Sequence, residues 1–173
     1  MNNEYLLLLD LKHNVLDMAD HFFKIDNIEK DHYRNMKLKI LLGSAFYELF
    51  FKFKLSCIDH KLIWVKPAKY NEDDHIIGNF KSITMTQALR EAKKRNWITD
   101  KEYDLINHFS IIRNAIMHFS IAEHDLKKHI AYFLPIDKNI FTQHSSLIKE
   151  LMKSSEHLFT NSSVYSDFKK NYL

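Results

Sequence analysis

Leu38-Lys39-Ile40-Leu41-Leu42-Gly43-Ser44-Ala45-Phe46-Tyr47-Glu48-Leu49-Phe50-Phe51-Lys52-Phe53-Lys54-Leu55 is dominated by apolar side chains and holds one glycine and no proline. Leu38, Leu42, Ala45, Leu49 and Phe53 recur at spacings of three and four, the period of a helix that buries one face. The same pattern runs from about Tyr33 through Cys57 and Ile58 to Trp64 and predicts one long helix. Gly43 inside it costs about 1 kcal/mol against alanine, a loss offset where a neighbouring helix approaches closely. Glu48, set among Phe46, Tyr47, Leu49, Phe50 and Phe51, reads as a carboxylate near the core, which requires a partner.

Outward from this stretch the chain keeps the same character. Two glycines and two prolines in 173 residues are too few for a turn-rich β architecture. The length suits one domain with a genuine core, so the expected fold is an all-α, single-domain, up-and-down bundle of five to six helices over residues 1–173. A first amphipathic helix is expected from about Glu4 to Ile25, through Leu8, Leu11, Val15, Met18, Ala19 and Phe22. Val65 to Ile83, with Pro67, Gly78 and Glu72-Asp73-Asp74, reads as a long excursion, a type of segment that is usually functional or mobile. Thr84-Met85-Thr86-Gln87 and Thr99-Asp100-Lys101-Glu102 have the form of capping boxes and open a short helix to about Arg95 and the helix that follows it. Glu123 to Leu134 and Asn139 to Phe159 are further expected helices, and the tail from Thr160 reads equally as a frayed end or a short docking helix.

Composition removes several function classes. A net charge of +3 does not announce nucleic-acid binding, so any RNA contact must come from a local patch. A single cysteine, Cys57, excludes an internal disulfide framework and fits a reducing compartment, and its neighbours Phe53, Leu55 and Ile58 suggest core packing. The apolar cluster Leu6 to Leu9 is too short for a signal peptide or a membrane span, which makes a soluble cytoplasmic protein the expectation. The eleven histidines include no His-x-x-x-His pair, and there is no phosphate-binding glycine loop, nucleophile elbow or Cys-His zinc spacing. No metal or cofactor is expected.

Chemistry concentrates in Ile111-Ile112-Arg113-Asn114-Ala115-Ile116-Met117-His118-Phe119, where three polar side chains interrupt an apolar run. Arg113 is a permanent cation with a planar fork suited to phosphate oxygens, and His118 exchanges its proton near neutral pH. Helical geometry sets them about 140° apart and about 7.5 Å along the axis, whereas Asn114 and His118 share one face. They flank a groove, which the arginine closes by swinging round or which two copies of the helix complete across a symmetric dimer. Glu48 is the evident partner for Arg113, either as a structural ion pair or as an acid that positions a catalytic arginine. Ser120-Ile121-Ala122-Glu123, a further capping box, would put His118 in a last helical turn, where the dipole favours imidazolium and hence acid/base use. Arg90, Lys93, Lys94 and Arg95 form a basic cluster that is either a phosphate-facing patch or a solvated helix face.

Arg113-Asn114-Ala115-Ile116-Met117-His118 resembles the hallmark of the HEPN superfamily of small all-helical domains, Arg-x(4 to 6)-His with a polar residue after the arginine. The short helix before the motif helix, the pattern Glu48 to Leu55 and the apolar residue before Arg113 add to the likeness, which covers a core of about residues 5–130 and leaves the C-terminal helix and tail, about 136–173, outside it. The resemblance implies a homodimeric, metal-independent endoribonuclease, often a toxin or antiviral defence effector with an antitoxin or defence-system partner. In it His118 would be the acid/base, Arg113 would stabilise the phosphorane and Asn114 would orient either group or the RNA. A branch paired with nucleotidyltransferase antitoxins carries tyrosine two residues after the histidine; Ser120 stands here instead. The competing reading is a non-catalytic dimeric scaffold, with Arg113 bonded to Glu48 and His118 capping a helix end. A small-molecule binding protein would need a pocket between the helices, which no sequence feature announces.

Overall fold

The computed structural model describes residues 3–25, 32–118, 139–160 and 162–173. Among them the structure is all-helical, and the sole strand-like feature is an isolated antiparallel bridge between Trp64 and Ser82. Seven α-helices occur in the described residues: α1 (Asn3–Lys24), α2 (His32–Ile58), α3 (Glu72–Ile76), α4 (Met85–Lys94), α5 (Asp100–His118), α6 (Asn139–Ser154) and α7 (Ser163–Tyr172). Short 3-10 turns lie at His60–Ile63, Pro67–Lys69 and Glu156–Leu158. The expected helix over Glu123 to Leu134 lies outside the described residues.

Helix α2 buries side chains around most of its circumference, among them Ile40, Phe46, Tyr47, Phe50, Phe51, Phe53 and Leu55. A helix apolar on nearly all sides must be enclosed by others. Val15, Leu16, Ala19, Phe22 and Phe23 of α1, Ala88, Leu89 and Ala92 of α4, and Ile106, Phe109, Ile112 and Ile116 of α5 supply that enclosure. Gly43 sits where α1 and α5 cross α2: a Cβ there would stand 2.7 Å from Phe109 Cε1 and 3.2 Å from Phe22 Cε2, the close approach that its sequence position suggested. Phe22 meets α2 at Gly43, while Leu8 and Leu11 lie near Lys52 and Ser56, so α1 runs antiparallel to α2. Helix α5 does likewise, since Trp97, just before it, lies under Lys54 and Phe109 reaches Gly43.

Local chemistry sets the element ends. Thr84 and Gln87 form the expected capping box, and Thr99 and Glu102 exchange the equivalent bonds, 2.6 Å from Thr99 N to Glu102 Oε2 and 3.3 Å from Glu102 N to Thr99 Oγ1. The second helix stops at Ile58 rather than Trp64, because Asp59 turns the chain and caps the 3-10 turn through Lys61 N. The excursion that follows has its own packing: Trp64 stacks on Phe80 at 4.6 Å and 8°, its Nε1 donates to His75 Nδ1 at 2.9 Å, and Val65 N bonds Lys81 O at 3.0 Å. The penultimate helix ends at Ser154, short of Phe159, and the tail forms a docking helix, with Phe168 and Tyr172 packed on Phe23 and Tyr172 Oη donating to Asp20. Cys57 is exposed rather than in the core, since it lies in the final turn of α2, where the apolar face has run out and Ile58 is exposed as well. No helix among the described residues is long and apolar enough to cross a membrane.

Candidate functional site

Helix α5 is held by one stripe, Ile106, Phe109, Ile112 and Ile116, and this leaves another face outward. Ile111 and Met117, 49% and 56% exposed, lie on that face beside the exposed Asn114. Arg113, partly buried at the margin of the stripe, donates from Nη1 to Asn114 Oδ1 at 3.0 Å. The amide is thereby oriented with its nitrogen turned away from the guanidinium, so the pair presents N–H donors in two directions. Helix α5 is described through His118, whose side chain lies outside the described residues, as does the capping box Ser120 to Glu123. Along the backbone His118 follows Asn114 by one turn of helix.

Glu48 is not the partner of Arg113 among the described residues. It accepts from Lys52 Nζ at 2.7 Å, and Lys52 also donates to Ser82 Oγ at 3.1 Å. The physical reason is spacing: glutamate four residues before lysine places both on one helical face, so the half-buried carboxylate is satisfied within α2 itself. The ion pair expected between Glu48 and Arg113 is thus replaced by one within α2, and the bond from Lys52 to Ser82 ties that helix to the excursion.

The basic cluster on α4 is largely compensated. Lys93 pairs with Asp100 at 2.7 Å and lies 4.9 Å over the Tyr103 ring, Lys94 pairs with Glu91 at 2.8 Å, and Arg95 pairs with the same carboxylate and covers Trp97. Glu91 is held below its usual pKa by hydrogen bonds from Lys94 and Arg95, and Lys93 is raised by its bond to Asp100. Arg90 is exposed. Because Lys93 pairs at the first residue of α5, it meets the motif helix thirteen residues before Arg113, about 20 Å along the axis. The cluster and the motif therefore lie toward opposite ends of α5.

Two polar features escaped the sequence reading. His144 of α6 is fully buried, stacks on Phe109 at 3.7 Å and shares a 2.8 Å hydrogen bond with Tyr47 Oη. Its place on the stripe Phe141, His144, Leu147, Leu151 was the available signal. The second is the Lys52, Ser56 and Ser82 group beneath α1, whose signal was the Glu48-x-x-x-Lys52-x-x-x-Ser56 spacing. Among the described residues no group of three or more His, Cys, Asp or Glu side chains converges as a metal site requires. Comparison with protein-family models, with curated proteins and with solved structures finds no match for this chain.

Proposed function

We propose that the chain is a HEPN-type, metal-independent endoribonuclease that acts as a homodimer, a toxin or defence effector in its biological setting. The observation that carries this reading is the Arg113 and Asn114 pair, joined at 3.0 Å on the outward margin of α5 and followed one helical turn later by His118. Flanking it, the exposed Ile111 and Met117 give the same face an apolar surface for a second copy of the helix. In the dimer, His118 removes the ribose 2′-hydroxyl proton, the 2′-oxygen attacks the adjacent phosphorus, and the bond to the 5′-oxygen breaks as that oxygen takes a proton from the imidazolium. Arg113 stabilises the charge gathered on the phosphorane oxygens, and Asn114 holds the guanidinium or the RNA. The products are a 2′,3′-cyclic phosphate and a 5′-hydroxyl.

The test is cleavage of total cellular RNA in EDTA by wild type, Arg113→Ala and His118→Ala, with end-group analysis. Cutting that survives chelation, leaves cyclic phosphate ends and is lost in both variants supports the nuclease. An inactive wild type, or three proteins of equal activity, assigns the motif to architecture and the chain to a dimeric scaffold.

A further inference from the structure

Helix α2 runs alongside the motif and brings one side chain to its level. Gly43 lies against Phe109, Ser44 Oγ donates to Phe109 O at 3.4 Å, and Lys54 stands 4.5 Å over Trp97, just before α5. These contacts fix one antiparallel register along the pair. Lys37 precedes Gly43 by as many residues as Ala115 follows Phe109, so Lys37 stands level with the interval between Arg113 and His118. Along the axis it is about 3 Å from the level of Arg113. Both positions border the seam between the helices: Lys37 is two turns before Ser44, about 20° round α2 from that contact, and Arg113 is one turn after Phe109, about 40° round α5.

Lys37 is also the lysine of α2 that the fold does not use. Lys39 lies 5.3 Å over Phe22, Lys52 bonds Glu48 and Ser82, and Lys54 covers Phe50 and Trp97. Lys37, half-buried, has no hydrogen bond, ion pair or ring contact among the described residues. No carboxylate of either helix offsets it. Glu48, the one acid of α2, is about 16 Å farther along the helix and taken by Lys52, and Asp104, the last acid of α5, is about 14 Å before Arg113. Two cations on one seam without a counter-ion repel each other, and an anion that spans both removes that cost. Helix axes about 8–10 Å apart set the two side chains on separate walls, a spacing that neighbouring phosphates of one strand match better than the oxygens of a single phosphate.

We propose that Lys37 holds the RNA phosphate next to the one that is cut, so that the strand crosses the seam from α5 to α2. This rests on the ribonuclease reading and makes Lys37 a substrate-binding residue with no part in bond making. A fluorescent 2′-O-methyl oligonucleotide of mixed sequence, which offers no 2′-hydroxyl to attack, is titrated by anisotropy at several salt concentrations, and KM and kcat are measured on total cellular RNA in EDTA. Wild type is compared with Lys37→Gln, Lys37→Arg and, as a charge control at the far end of α2, Lys66→Gln. Lys37→Gln is expected to reduce the slope of log K against log salt by about 0.7 and to weaken binding about eightfold at 50 mM salt, the contribution of one released counterion. KM should rise with kcat unchanged, Lys37→Arg should restore both, and Lys66→Gln should behave as wild type. The thermal midpoint of Lys37→Gln should not fall, because the ammonium has no partner to lose. If wild type cuts RNA while Lys37→Gln keeps its slope and KM, loses only kcat, or changes no more than Lys66→Gln, the inference is wrong and the ribonuclease reading stands. A wild type that neither binds nor cuts overturns both. One that binds through Lys37 but does not cut overturns the ribonuclease reading and leaves Lys37 a phosphate contact.

Discussion

Acidification from pH 7 to pH 5 is expected to remove about 2 kcal/mol of stability through one imidazole, that of His144. The ring is fully buried on Phe109, one nitrogen bonds Tyr47 Oη at 2.8 Å, and the other, Nε2, has no partner. Burial, with His108 nearby as a second potential cation, lowers its pKa from 6.5 to about 3. The folded protein therefore excludes a proton that the unfolded chain accepts below pH 6.5. Stability from this group is complete above pH 6.5 and is lost as pH falls toward 3, at about 1.4 kcal/mol per pH unit. At pH 5, 1.5 units into that window, the loss is about 2 kcal/mol. Urea denaturation of wild type and His144→Gln at pH 7.5, 6.5, 5.8 and 5.0 measures it. Glutamine offers Tyr47 a hydrogen-bonding group but does not titrate, and the other histidines are common to both proteins and cancel in the difference. The variant is expected to start less stable and to gain about 2 kcal/mol on wild type by pH 5. Parallel profiles over the whole range would refute the assignment of a neutral, proton-excluding His144.

Gly43→Ala gains about 1 kcal/mol of helix propensity but forces a Cβ to 2.7 Å from the buried Phe109 ring, an overpacking cost of about 1–3 kcal/mol. Net destabilisation of about 1 kcal/mol in urea is expected, and a stabilised variant would show that the three-helix crossing is loose. Asn96 closes α4 at φ 55°, with Asn96 N bonded to Lys93 O and Trp97 N to Ala92 O. Asn96→Ala is expected to cost about 1 kcal/mol and Asn96→Gly to be neutral or stabilising, read from thermal midpoints. Cys57 should react fully with a maleimide in the native protein, because it is exposed, and slowly at neutral pH, because partial burial raises its thiol pKa more than Lys12 and Lys54 lower it. A thiol that reacts only in denaturant would return Cys57 to the core.

What was legible in the sequence followed from interactions between near neighbours. The Thr84 and Gln87 box and the Thr99 and Glu102 box each close within four residues, so their helix starts were readable without any knowledge of the fold. The stripes of α1 and α5 were readable for the same reason. What was not legible depends on distant residues. Tyr47 and His144 are separated by 97 positions, and nothing near either one announces their bond. The order of the excursion after α2 comes from Trp64, Tyr70, His75 and Phe80 packing on each other across a turn-rich path rather than along one helix, and such contacts leave no period in the sequence. Glu48 was misassigned for a different reason. A long-range partner was preferred although Lys52, one turn away, satisfied the carboxylate at lower conformational cost.

The separation of packing from motif on α5 bears on how the RNA assay is to be read. Loss of activity on mutation indicts a side chain only if the helix that carries it stays in place. Here the burial that holds α5 belongs to Ile106, Phe109, Ile112 and Ile116, whereas Arg113 and Asn114 bond to each other at the exposed margin. A surface hydrogen bond of that kind contributes about 0.5–1.5 kcal/mol at most, against about 2–5 kcal/mol for truncating one of the buried apolar residues. Arg113→Ala is therefore expected to fold with its thermal midpoint nearly unchanged, so that inactivity in that variant reports on chemistry. Ile112→Ala is the matched control. It should lower the midpoint while leaving the Arg113 and Asn114 pair intact, and it should retain cleavage below its own unfolding transition. If Ile112→Ala were inactive while still folded and Arg113→Ala active, the outward margin of α5 would carry no catalysis.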